Sequence, residues 1–112
     1  MHKAQQRAHE LRDVVGKLLR ATVEFPPDTV VTVTKAAVSA DGLVGTVFLS
    51  VFPEGQSAEV LALVERRHGD LQRGIAARFS RHPSPRVRYV LDAGPAALDR
   101  LDRLSRSARN NA

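Results

Sequence analysis

Residues 29–38 read Thr-Val-Val-Thr-Val-Thr-Lys-Ala-Ala-Val, a run dense in β-branched side chains. Such side chains are stiff at χ1 and suit a pleated surface, so the run predicts a strand. Ser39-Ala40-Asp41-Gly42 follows, and Asp-Gly is a strong turn signal. Residues 43–52 then alternate. Leu43, Gly45, Val47, Leu49 and Val51 fall on one face, and Val44, Thr46, Phe48, Ser50 and Phe52 on the other. Two strands joined by a tight turn predict an antiparallel hairpin, and Pro53-Glu54-Gly55 ends it. Whatever else the chain forms must be arranged around that hairpin.

The flanking segments are helical in period. Ala4, Ala8, Leu11, Val15, Leu18 and Thr22 recur at alternating spacings of four and three, which predicts an amphipathic helix over 4–22. Val14 and Leu19 widen its stripe. Phe25-Pro26-Pro27-Asp28 ends it, because proline disfavours helix at its own position and at the one before. Residues 57–81 predict helix in two pieces. Val60, Leu61 and Val64 supply one apolar face, and Leu71, Ile75 and Phe79 supply another. Gly69 lies between them and predicts a kink there. Pro83 and Pro85 close this region. Val87, Tyr89 and Leu91 alternate with Arg86 and Arg88, which predicts a third strand over 86–91. Gly94-Pro95 breaks it, Leu98, Leu101 and Leu104 suggest a short helix over 96–107, and residues 108–112 read as a frayed tail. The order α-β-β-α-kink-α-β predicts an α+β fold: a three-stranded sheet with helices packed on one face, forming a single domain over residues 1–107.

Charge is unevenly placed. The 112 residues carry a formal net charge of +5. Residues 65–88 hold seven arginines against Glu65 and Asp70, a net +5 that equals the whole excess. Every basic side chain from Arg66 onward is arginine. Guanidinium forks match phosphate oxygens and stack on bases, so an arginine concentration on a small basic domain points to nucleic acid. There is no cysteine, which excludes disulfides, thiol catalysis and cysteine metal sites. No apolar run approaches the roughly 20 residues of a membrane span. The N-terminus has no apolar signal region. These features predict a soluble, cytoplasmic protein.

Enzyme signatures are absent: no G-x-S-x-G elbow, no P-loop and no Rossmann glycine pattern. The histidines His2, His9, His68 and His82 share no metal-ligand spacing, so neither a metal nor another cofactor is implied. Gly42-Leu43-Val44-Gly45 matches GxxG literally, but a nucleic-acid clamp of that kind must join two helices, and this one joins two strands. Turn formation and tight packing account for it better. The helix–helix junction is instead Arg67-His68-Gly69, with Arg66 and Arg73 beside it, which reads equally as a phosphate-facing bend or a structural kink. Phe79 and Tyr89 occupy core-facing positions, so binding would rest on phosphate contacts and shape rather than stacking. Structured RNA suits that better than an unstructured strand.

The hairpin resembles the central hairpin of the ribosome-binding factor A family. That family carries a Thr-Val pair on its first strand, Ser-x-Asp at the turn, and small-Lys-Val-aromatic-aliphatic-Ser/Thr on its second. Thr32, Val33, Ser39, Asp41, Val47, Phe48 and Ser50 match, and Thr46 departs from the usual lysine. The resemblance runs over about residues 5–104. Gly69 falls at the glycine of the Ala-x-Gly bend that replaces GxxG in the family's KH-like (type II) fold, with Arg67 where alanine is usual. Leu71, Arg78, Pro85 and Asp92 continue it in register, Leu101 and Leu104 fall at apolar positions, and Gly94 replaces a serine.

The resemblance implies a non-enzymatic assembly factor that binds 16S rRNA on the free small (30S) ribosomal subunit late in maturation, as a monomer and without a small-molecule substrate. The RNA-contacting candidates are Arg66, Arg67, His68, Gly69, Arg73, Arg78 and Arg81 along the helices, and Arg86 and Arg88 on the third strand. Lys3, Arg7 and Arg12 on the first helix are candidates for a second contact. From residues alone, a generic RNA-binding module and an adaptor whose arginines meet an acidic protein remain open.

Overall fold

The computed structural model describes residues 3–92, with side-chain surroundings from Gln5 onward. The helix predicted over 96–107 and the tail at 108–112 lie outside the described residues.

Leu11, Val15, Leu18 and Leu19 recur at helical spacing and are all buried, on one face of α1 (Lys3–Thr22). The chain turns out at Phe25-Pro26-Pro27, and Asp28 takes φ 61°, a left-handed conformation that a short polar side chain tolerates. β1 (Val30–Val38) and β2 (Val44–Phe52) follow as the predicted antiparallel pair. The Ser-x-Asp turn between them is built from its own side chains. Asp41 Oδ1 accepts from the Ser39 hydroxyl at 2.6 Å and from the Leu43 N–H at 3.0 Å. Ser39 Oγ accepts from the Val44 N–H at 3.0 Å. Gly42 sits at φ 78°, where a Cβ would be strained.

The pairing register slips between Val33 and Lys35. Such a bulge inserts one residue and resets the alternation. Thr34 and Lys35 are consequently both exposed, while Ala36 and Val38 turn towards the core beside Val31 and Val33. Strict alternation from Val31 would have aimed Lys35 inward.

A short 3-10 turn (Glu54–Gln56) leads into α2 (Ser57–Arg66), then α3 (His68–Arg78) and β3 (Arg86–Leu91). β3 pairs parallel to β2, giving the strand order β1-β2-β3. Parallel neighbours need a long crossover, and α2 and α3 supply it. α1 packs over β1 and α3, and α2 over β3 and β2. The core lies in this single seam: Leu11, Val15, Val47, Leu49, Val60, Val64, Leu71 and Ile75 are fully buried. Phe79 and Tyr89 join it, as their positions predict. Gly45 is the close approach that lets α1 cross β2, since a Cβ there would lie 2.7 Å from Leu11 Cδ2. The literal GxxG is therefore a turn and a packing contact.

Two details of the helical region differ from expectation. The helices meet at Arg67, with φ −100° and ψ 15°, and not at Gly69, which lies inside the first turn of α3. No glycine is needed there, because Arg67 adopts a conformation open to any residue. The helix also stops at Arg78 rather than 81. Phe79 turns extended to bury its ring. Beyond it, the Glu10 carboxylate accepts from the Ser80 N–H at 2.7 Å and the Ser80 hydroxyl at 2.6 Å. That pair of hydrogen bonds competes with another helical turn and ties the end of α3 to α1.

Candidate nucleic-acid interface

The predicted site residues do not form one patch; the fold distributes them over three places. Arg66, Arg67, His68, Gly69 and Arg73 gather at the α2–α3 junction and are exposed. Asp70 sits in their midst. Its carboxylate accepts from Arg67 Nε at 2.9 Å and also pairs with the Arg73 guanidinium. The Arg67 hydrogen bond, then that of Arg73, holds the Asp70 carboxyl below its ordinary value of 3.8. His68 meets the Tyr89 ring edge-on at 6.5 Å between centroids. Burial, and secondarily the Glu65 carboxylate, pushes the Tyr89 hydroxyl well above its ordinary value. It stays neutral and serves packing.

The second place is the end of the molecule that holds the hairpin turn. Arg7 lies against this turn: a Cβ on Gly42 would come within 2.6 Å of its Nη1. Arg7 and Arg81 line one recess of about 120 Å³ with Asp41 and His82. Arg86 starts β3 beside this turn, its N–H donating to Leu43 O at 2.9 Å. Arg78 ends α3 and is exposed, with Nη1 at 3.4 Å from Gly74 O. Arg86 and Arg88 point from the uncovered face of the sheet, where Arg88 Nε donates to Thr46 Oγ1 at 3.0 Å. Lys35 shares that face, its Nζ 4.5 Å from the Phe48 ring centre. This cation–π contact is invisible in the sequence, because the bulge creates it.

The third place is the exposed side of α1, where Arg12 borders a groove against β1. Lys3 opens α1; its side chain lies outside the description.

Electrostatics rank these places. Between Glu65 and Arg73, three arginines face two carboxylates, leaving +1. At the hairpin end, Arg7, Arg78, Arg81, Arg86 and Arg88 face Asp41 and Glu10, five against two, leaving +3. The two regions stand at opposite ends of α3, roughly 16 Å apart at 1.5 Å per residue. Positive charge is therefore concentrated on Arg78, Arg81, Arg86 and Arg88 with Arg7, and the junction carries less of it. The sequence shows Asp70 three residues from both Arg67 and Arg73, a spacing that lets it pair with each on one helix face. Among the described residues no group of His, Asp and Glu could hold a metal ion. No described helix is long and apolar enough to cross a membrane.

An α-β-β-α-α-β chain on a three-stranded mixed sheet, with a basic helix–helix junction in place of a GxxG clamp, is a KH-like domain of type II. Within that class the chain belongs to the ribosome-binding factor A family, whose model matches residues 3–105. Ribosome-binding factor A of Anaeromyxobacter dehalogenans (strain 2CP-C) is 33% identical over 104 residues, covering 91% of this chain and 75% of that protein. The crystal structure of ribosome-binding factor A from Thermus thermophilus superposes with a TM-score of 0.66 at 22% identity, covering 79% of this chain and 94% of that one. A homology model of the Thermus thermophilus factor, fitted into a cryo-EM map of its 30S complex, gives a TM-score of 0.65 at 24% identity over 80% and 93% of the two chains. The family is one of ribosome-binding factors, not of enzymes.

Proposed function

We propose that this protein binds 16S rRNA on the free 30S subunit and assists its late maturation, as a cytoplasmic monomer. Membership of the ribosome-binding factor A family over residues 3–105 is the observation that carries the reading. The unbalanced arginines support it. Arg78, Arg81, Arg86 and Arg88 with Arg7 neutralise phosphates, and Arg66, Arg67 and Arg73 extend the contact along α3. Exposed aromatics are few, so the domain reads the shape of folded RNA and not a stacked single strand. Depleting the protein in its own organism tests the role. Free small subunits should accumulate with unprocessed 16S rRNA ends. An unchanged profile of subunits and rRNA ends would overturn it.

A further inference from the structure

The two edges of the sheet are treated differently. On β3, Gln72 of α3 reaches the strand backbone with both ends of its amide: Nε2 donates to Pro85 O at 2.8 Å and Oε1 accepts from the Val87 N–H at 3.1 Å. That edge is closed to another strand along this stretch. On the opposite edge, β1 has β2 as its only sheet neighbour among the described residues, so about half of its backbone N–H and C=O groups face away from β2. No described side chain makes the equivalent bond to Val30–Val33. The bulge at Thr34 interrupts the edge only beyond them.

A groove of about 470 Å³ runs between that edge and α1, with Thr29–Val33 on one wall and Gly16, Leu19 and Phe25 on the other. Gly16 stands in the middle of a 20-residue helix, where glycine is unfavourable. The packing does not need it: a Cβ at Gly16 would meet nothing within 4 Å. What Gly16 does is keep the groove open. Arg12 and Arg20 border the groove against the single carboxylate of Asp13, and both guanidiniums lack an ion-pair partner among the described residues.

From these features we propose that β1 is a docking edge, and that its occupant is an extended polypeptide segment bearing a carboxylate side chain. The segment adds as a strand beside Val30–Val33, passes a small side chain over Gly16 and places its carboxylate at Arg20, one helical turn further along α1. A peptide fits this site better than RNA does, because a strand edge presents alternating donors and acceptors at the spacing of another backbone. Arg20 supplies the charge match.

Amide NMR of the whole chain tests this with three probes. These are a short valine–threonine peptide ending in glutamates, the same peptide ending in lysines, and an oligouridine. The glutamate peptide should shift the amides of Val30–Val33 and slow the exchange of those that face away from β2. Gly16→Leu should weaken that peptide at least about tenfold while keeping or raising the melting temperature, since leucine is the better helix former. Arg20→Glu should weaken the glutamate peptide and favour the lysine peptide. The proposal is overturned if neither peptide shifts these amides at about 1 mM, or if Gly16→Leu binds as the parent does. It is equally overturned if oligouridine moves Val30–Val33 and the peptides do not. None of these outcomes depends on the ribosomal role.

Discussion

A Cβ placed on Gly74 would lie 2.7 Å from Leu18 Cδ2 and 3.1 Å from Cδ1. This is where α1 and α3 touch, and both leucine methyls are held in the core. Gly74→Val should therefore overpack the seam and cost about 1–3 kcal/mol. Gly69 is the contrasting case. A Cβ there would meet only the flexible Arg73 guanidinium at 3.5 Å. Gly69→Ala should stabilise by up to about 1 kcal/mol through helix propensity. Thermal melts of the two variants should move in opposite directions, and a loss in both would mean that Gly69 serves the bend after all. Sequence alone singles out Gly69 and gives no sign of Gly74. Gly69 stood at a visible break in the apolar pattern, whereas the partner of Gly74 is 56 residues away in the chain, on another helix.

Asp41 links the stability of the turn to pH. The Ser39 hydroxyl, then the Leu43 N–H, hold its carboxyl below the ordinary 3.8. The unfolded chain thus takes up a proton here more readily than the folded one. The stabilisation is fully present above 3.8 and is lost as pH falls through the lower folded value. Denaturant unfolding followed from about pH 6 to pH 2 should show a shallower acid loss in Asp41→Asn than in the parent. Equal slopes would mean that the turn carboxylate does not sense folding.

Among the elements, β3 depends on a side chain for its outer edge. Gln72→Leu would leave Pro85 O and the Val87 N–H without their partner, at a cost of about 1–3 kcal/mol. Hydrogen exchange should speed up at Val87 before it does in β2. An unchanged rate would show that water replaces the amide without loss. The three α-helices, β2 and β3 were legible from periodicity, because one buried face per element leaves a clear 2.0 or 3.6 repeat, and β1 from its β-branched run; the 3-10 turn at Glu54–Gln56 was not. Nor was the bulge at Thr34. Lys35-Ala36-Ala37 has no strong apolar contrast, so nothing in the run marks which residue is extra. The helix junction was misplaced by two residues for a related reason: Arg67, His68 and Gly69 are all exposed, and only the backbone angles distinguish them.

At the scale of the molecule, fold class and the presence of a basic concentration could be read directly, since composition is local and the element order is unambiguous. The distribution of that charge could not. Asp70 offsets part of the junction's charge through short-range pairs, and the turn of the chain after Phe79 carries Arg81 and Arg86 to the hairpin end beside Arg7, far from Arg66. Adjacency in sequence thus does not show which of these arginines the fold brings together at the hairpin end.

In the proposed role, this domain docks on the free small subunit through the arginines at the hairpin end. Co-sedimentation with separated ribosomal fractions at two salt concentrations tests it directly, using the parent chain and an Arg81→Glu/Arg86→Glu variant. The parent should be retained on free small subunits but not on large subunits or translating ribosomes, and more weakly at the higher salt. The variant should lose retention while keeping its melting temperature, and where residual binding is measurable its salt slope should fall by about 2, one per lost phosphate contact. Equal retention on every RNA-bearing fraction, no retention anywhere, or a variant that binds as the parent does would contradict it.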